Sequence, residues 1–240
     1  MQVVQETSKV TSLYPNGPER ADPPTRIGRP ISKSSKLPAH RDIKAITCFT
    51  PGTGIATKNG AKLVEQLRQG DRILTRDRGF QPVRWIGKRQ VSFSAALHKR
   101  DALPVMIRAD ALGAGRPERD IIVSPRHRIL TSDRSYLSIM GESEALIEAR
   151  ALVGRPGITC VMPEQLTYIH LLFDQHEIIL SDHLWSESFY LGRPAVAALL
   201  REQCNAIKEI FPQIDTAPNT SPQMLARVCL THEEVQMQCA

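Results

Sequence analysis

The sequence predicts an all-β domain followed by a short helical tail. Three observations predict it. Between Ile43 and Leu191 short apolar stretches recur at intervals of roughly ten residues, Gly, Pro, Asn and Asp punctuate the gaps, and no long helical period is sustained until Pro194.

Each element follows from local chemistry. The first 42 residues carry Pro15, Pro18, Pro23, Pro24, Pro30 and Pro38 among Ser, Gly and basic residues, with few large apolar side chains. Such a segment buries too little surface to offset the entropy of ordering it, and it reads as a disordered, basic leader. A β domain is expected over residues 43–192. Its strands are predicted at Ile46–Phe49, Gly54–Thr57, Arg72–Thr75, Pro82–Val91, Pro104–Arg108, Asp120–Val123, Arg128–Thr131, Ala145–Ile147, Ile158–Val161, Thr167–Phe173 and Glu177–Leu180. Asn59-Gly60 supplies a tight hairpin turn. Leu63, Val64 and Leu67 suit one or two helical turns, which Gly70 would end. Residues 193–240 change to an Ala, Leu, Glu and Lys texture. Val196, Leu199, Leu200 and Ile207 fall at helical spacing between Pro194 and Ile210, and Pro212 closes that helix. Ser221-Pro222 reads as the N-cap and first helical residue of a second helix, through Leu225 and Val228 towards Val235.

The 240-residue chain has a formal net charge of +6. Eight Lys/Arg against four Asp/Glu fall within residues 1–47, so the surplus over the rest is too diffuse for a nucleic-acid face, and no reader motif accompanies it. The five cysteines, Cys48, Cys160, Cys204, Cys229 and Cys239, are odd in number and form no C-x-x-C pair. That is neither a disulfide framework nor a zinc pattern, and it leaves a thiol for chemistry. The first residues lack a basic cluster followed by an apolar run, and no apolar stretch approaches the roughly 18 residues of a membrane helix. A soluble protein, cytoplasmic by default and without membrane contact, is expected. His170, His176 and His183 lie close in sequence, but no cysteine or carboxylate pair completes a zinc set, so neither metal nor cofactor is expected. Asp71, Asp174 and Asp182 read as caps of turn backbone, and Trp85 and Trp185 as core or contact residues.

Chemistry concentrates at Cys48, which stands where the leader meets the first strand in ITCFTPGTGIATKNG. A lone cysteine there is ordinarily a small buried hydrophobe. Its surroundings argue for more. Pro51-Gly52-Thr53-Gly54 turns the chain sharply back, and the loop Ser124-Pro125-Arg126-His127, between two apolar strands, offers a hydroxyl and an imidazole to one peptide. A thiol that attacks an amide needs an acid for the departing nitrogen, and histidine suits that task near neutral pH.

These segments resemble the Hint superfamily, the shared fold of hedgehog autoprocessing domains and inteins, and its bacterial Hint-domain group in particular. CFTPGTGIATKNGAKLVEQLRQGDRILTRD resembles the opening block, with Gly70-Asp71 as its later Gly-Asp. SPRHRIL resembles a second block of pattern Thr-x-x-His, with Ser124 in the threonine place and His127 as the histidine. QHEIILSDHLWSESFY, from Gln175 to Tyr190, is similar to the closing strands of hedgehog domains. The resemblance covers about residues 44–191. It implies a compact, horseshoe-like β fold and autoproteolysis. Cys48 sulfur would attack the Thr47 carbonyl, His127 would protonate the leaving nitrogen of Cys48, and Ser124 would hydrogen-bond the scissile peptide. The leader would be the cis substrate, released from a thioester by water or a small nucleophile. His176 matches a hedgehog histidine and would assist as a polar neighbour. Inteins end in His-Asn, whereas this chain reads Leu184-Trp185-Ser186-Glu187-Ser188, so splicing is not expected. Ser188 stands where hedgehog domains carry a cysteine, and no lipid-recognition segment follows, so sterol transfer is not expected either. The alternative is a non-catalytic module of the same fold whose C-terminal helices dock on a protein partner.

Overall fold

The computed structural model describes residues 47–93, 100–137, 142–212, 214 and 221–238. The leader expected over residues 1–42, and Ile46 of the first predicted strand, lie outside the described residues. The strands are β1 Gly54–Thr57, β2 Gly60–Leu63, β3 Arg72–Thr75, β4 Gly79–Pro82, β5 Trp85–Ser92, β6 Val105–Ile107, β7 Ile121–Val123, β8 Arg128–Thr131, β9 Ala145–Glu148, β10 Ile158–Cys160, β11 Gln165–Leu172, β12 Ile178–Ser181, β13 Leu184–Glu187 and β14 Cys229–Leu230. The helices are α1 Arg134–Leu137, α2 Arg193–Ala198, α3 Arg201–Ile210 and α4 His232–Gln238. The fold is all-β, as predicted.

A nine-stranded sheet runs β14-β9-β8-β13-β12-β1-β3-β4, with β2 paired to β1. Beside it lie a three-stranded sheet, β10-β6-β7, and the long two-stranded ribbon β11-β5. One apolar cluster gathers Val105, Ile107, Ile121, Val123, Ile129, Ile147 and Ile158 with Leu230 and Val235. A second gathers Phe49, Ile55, Ile73, Ile169, Phe173 and Ile179. A third holds Cys48 with Val91, Tyr168, Leu172, Phe189, Ala195 and Ile207. Cys48 and Phe49 thus enter different clusters, as successive residues of an extended chain must.

Several elements differ from expectation for identifiable reasons. The predicted strand at Ile46–Phe49 is reduced to bridges from Phe49 to Val123 and Ile169. The first hairpin turns at Lys58-Asn59, with Gly60 opening β2 at φ 99°, one residue earlier than a turn centred on Asn59-Gly60. The helical turns expected after Leu63 shrink to a 3-10 turn, Val64–Gln66. Pro82–Val91 is two strands, because the chain leaves β3 at Pro82 and pairs with β11 from Trp85. β13 follows β12 through Asp182 and His183, both left-handed at φ 42° and 63°. This is the geometry of a mirror-type hairpin turn, here made by residues that lack the usual Asn-Gly signature.

The single helix expected over residues 194–210 is two. Arg89 of β5 donates to the Ala198 carbonyl at the end of α2, and Gln203 caps Leu200 N–H to start α3. The second predicted helix forms only from His232. Gln223 accepts from Leu191 N–H and donates to the Phe173 carbonyl, and His176 accepts from Ala226 N–H, so these side chains fix residues 223–226 in a non-helical path. That path leads into β14, which pairs in parallel with β9. Among the described residues no helix is long and apolar enough to cross a membrane.

Candidate active site

The segment Thr47-Cys48-Phe49 lies between the end of β7 and the middle of β11. Phe49 exchanges both backbone hydrogen bonds with Ile169 at 2.9 Å, and Ser124 N–H donates to the Cys48 carbonyl at 3.1 Å. After Phe49 the chain reverses. Thr53 Oγ1 donates to the Thr50 carbonyl at 2.8 Å, Gly52 adopts φ 90°, and β1 begins.

Three groups hold the Thr47–Cys48 peptide. Cys48 N–H donates to Ser124 Oγ at 2.9 Å. The Thr47 carbonyl accepts from His170 Nδ1 at 2.9 Å, which fixes the tautomer because a carbonyl cannot donate. Thr47 Oγ1 donates to Glu187 Oε1 at 2.7 Å. Both sides of the peptide bond and the side chain preceding it are therefore tied to the scaffold.

Local register explains how these groups arrive. His170 pairs with Gly87 across β11 and β5, and the Trp85 ring covers Gly87, where a Cβ would collide with it. The open face of Gly87 lets Trp85 lie parallel to the His170 ring, at 6.3 Å and 4° between planes, while Phe189 packs against that ring at 5.1 Å. Ser124 leaves β7 directly opposite Cys48, and the turn that follows closes through His127 N–H to the Ser124 carbonyl at 3.0 Å.

Burial sets the electrostatics. Cys48 is 1 % exposed, and burial pushes its thiol well above the ordinary range, only partly offset by the Ser124 hydrogen bond and Arg89. Burial also lowers His127 to about 4, with Glu187 opposing and Arg128 adding to the shift. His170 is lowered to about 4 by burial, against the Thr47 hydrogen bond. Both rings are neutral at pH 7. For Glu187 burial alone would raise the pKa, but Arg128 and then His176 overcome it and hold the carboxylate at about 2.

The expected site residues thus fall as follows. Ser124 is hydrogen-bonded to Cys48 N–H. His127 sits beside Phe49, ring centroids 4.5 Å apart, and neither ring nitrogen has a hydrogen-bond partner among the described residues, Cys48 N–H included. His176 Nδ1 accepts from Ala226 N–H, so its proton is on Nε2, 3.3 Å from Glu187. Sequence reasoning missed His170, Glu187 and Arg128 as site residues. The alternation of Tyr168, His170 and Leu172 on one strand face is visible in the sequence, but nothing local says which peptide that face meets. The three histidines that lie close in sequence part company: His170 meets Thr47, His176 meets Glu187, and His183 approaches Glu118 at 3.9 Å. Among the turn aspartates, Asp71 caps Arg68 N–H and Asp182 caps Gly54 N–H, each at 2.8 Å.

A family model described as a Hint domain matches residues 47–193. No curated protein matches the chain. Similar solved structures include a bacterial intein-like domain from Clostridium thermocellum, at 13% identity over 59% of this chain and 97% of that one, with a TM-score of 0.41. A DnaB intein from Synechocystis sp. PCC 6803 is similar at 14% identity over 59% of this chain and 98% of that one, with a TM-score of 0.35. The family match spans well over half of the sequence, and the chain belongs to the Hint domain family.

Proposed function

We propose that the domain cleaves its own Thr47–Cys48 bond. The observation that carries this reading is the hold on that one peptide, with Ser124 on its nitrogen and His170 on its carbonyl oxygen. Neutral His127 takes the thiol proton as Cys48 Sγ bonds to the Thr47 carbonyl carbon. His170 Nδ1–H, already directed at the carbonyl oxygen, stabilises the negative charge that develops there. Collapse of the tetrahedral intermediate breaks the C–N bond, and the proton held by His127 passes to the Cys48 nitrogen, which leaves as an amine. The product is a thioester between Thr47 and the Cys48 sulfur. Water, or a small thiol or amine, then displaces the sulfur and releases residues 1–47 from a domain that begins at Cys48. Because the thiol is protonated at rest, its activation must coincide with attack, so cleavage is slow without an added nucleophile to draw off the thioester.

Intact mass spectrometry on the full chain tests this, with and without dithiothreitol, for wild type, Cys48→Ala and His127→Ala. A fragment starting at Cys48 is expected in wild type and lost in both variants. Folded wild type that stays full length in dithiothreitol and in hydroxylamine overturns it. One observation favours a second reading, a non-catalytic interaction module whose helices dock on a partner: the raised thiol is accompanied by His127 nitrogens that bond to nothing among the described residues. Full-length protein after days in thiol selects that reading.

A further inference from the structure

Thr47 is held by its side chain as well as by its backbone, and the group that holds it is a buried carboxylate. Thr47 is 8 % exposed and Glu187 0 %. Glu187 Oε1 accepts from Thr47 Oγ1 at 2.7 Å and from Arg128 N–H at 3.0 Å. Glu187 Oε2 accepts from Arg128 Nη1 at 3.0 Å and lies 3.3 Å from His176 Nε2. A carboxylate offers about four acceptor positions, and here Oε1 accepts two hydrogen bonds and Oε2 one, with His176 Nε2 close by but outside hydrogen-bond geometry. Arg128 supplies two of these three hydrogen bonds, and the third comes from the side chain that precedes Cys48.

We infer that Glu187, presented with Arg128 and His176, is a recognition subsite that selects a hydroxyl-bearing residue immediately before the nucleophilic cysteine. The substrate class of the domain is then a Thr–Cys or Ser–Cys peptide. This inference rests on the self-cleavage reading above. The physical reason is asymmetric. A hydroxyl completes the carboxylate's acceptor set and fixes the side chain next to the carbonyl carbon that the sulfur must reach. Valine has the same shape but leaves a buried charged acceptor facing a methyl group. Sites built to receive a hydroxyl reject analogues that lack it far more strongly than apolar pockets reject a missing methylene.

The test compares thiol-induced cleavage rates of the full chain as wild type, Thr47→Ser, Thr47→Val and Thr47→Ala, read by intact mass, with thermal melts run alongside. Thr47→Ser keeps the donor and is expected to lose no more than about threefold, because the hydrogen bond to the carboxylate survives. Thr47→Val, equal in shape, is expected to lose on the order of tenfold to a hundredfold, the range for a hydrogen bond to a charged group, while still melting cooperatively. In a Glu187→Gln background the Thr-to-Val difference should shrink, because the two changes remove the same interaction. If Glu187→Gln does not fold, the position-47 series decides by itself. Equal cleavage of wild type and Thr47→Val overturns the subsite while leaving self-cleavage intact. Absence of cleavage in every chain, wild type included, overturns both.

Discussion

The two buried neutral histidines make the stability of the domain depend on pH in a calculable way. In the unfolded chain each ring takes a proton near its ordinary value of 6.5, but in the folded domain His127 and His170 resist protonation until about 4. Between those values the unfolded state binds more protons, so stability present above pH 6.5 is lost as pH falls towards 4. At roughly 1.4 kcal/mol per pH unit, each ring contributes a loss on the order of 3 kcal/mol. Asp182 works in the opposite direction, since burial raises it from 3.8 to about 6 against the Gly54 hydrogen bond and Arg119. Its folded form gains a proton first, which returns roughly 3 kcal/mol between about pH 6 and 4. Isolating one ring removes this opposition. In a Cys48→Ala background, which removes any thiol chemistry at this position, His170→Phe preserves packing against Trp85 and Phe189 but leaves the Thr47 carbonyl unpaired. Urea unfolding at about pH 7 should show it less stable by about 1–3 kcal/mol. By about pH 4 that deficit should vanish or reverse, because the variant no longer carries the cost of a buried neutral imidazole. Stability curves for the two proteins that run parallel across that range would show that His170 takes up its proton alike in the folded and unfolded chain.

Other consequences are equally direct. On the proposed mechanism, His170→Phe in the Cys48 protein removes the donor to the developing oxyanion, and thiol-induced cleavage should slow by roughly 10²–10³-fold; an unchanged rate would exclude His170 from the reaction. Gly87→Ala places a Cβ in the Trp85 ring, so it should cost about 1–3 kcal/mol and alter the near-UV tryptophan dichroism, whereas an unaltered melt and spectrum would contradict the packing around His170. Arg128→Met leaves Glu187 buried without its guanidinium and should destabilise by about 3–5 kcal/mol at neutral pH in chemical denaturation. A near-neutral Arg128→Met would mean that the carboxylate is not charged in the folded state.

The β class, the cysteine and the Ser124–His127 loop were legible in the sequence because each is local. Strand positions follow from side-chain period and turn residues, and Cys48 is marked by the turn that succeeds it and the two blocks that resemble a known family. What failed to show was decided at a distance. β13 falls within the closing strands that the resemblance implied but not among those read from side-chain period, because its turn, Asp182-His183, adopts left-handed backbone without glycine. The helix expected after Ser221 gave way because Gln223 and His176 claim hydrogen-bonding groups that only packing brings near. His170 and Glu187 carry no local mark of their contact with Thr47. Pairing of Phe49 with Ile169 places His170 beside the Thr47 carbonyl, and the β8–β13 pairing brings Glu187 to Arg128 and Thr47. Side-chain type was enough to mark Cys48, Ser124 and His127 as candidates, since nucleophilic and acid–base capacity belongs to the side chain. That Ser124, His170 and Glu187 are the groups that hold the Thr47–Cys48 peptide was settled by folding, because pairing between strands far apart in the chain fixes those contacts and no short-range preference encodes them.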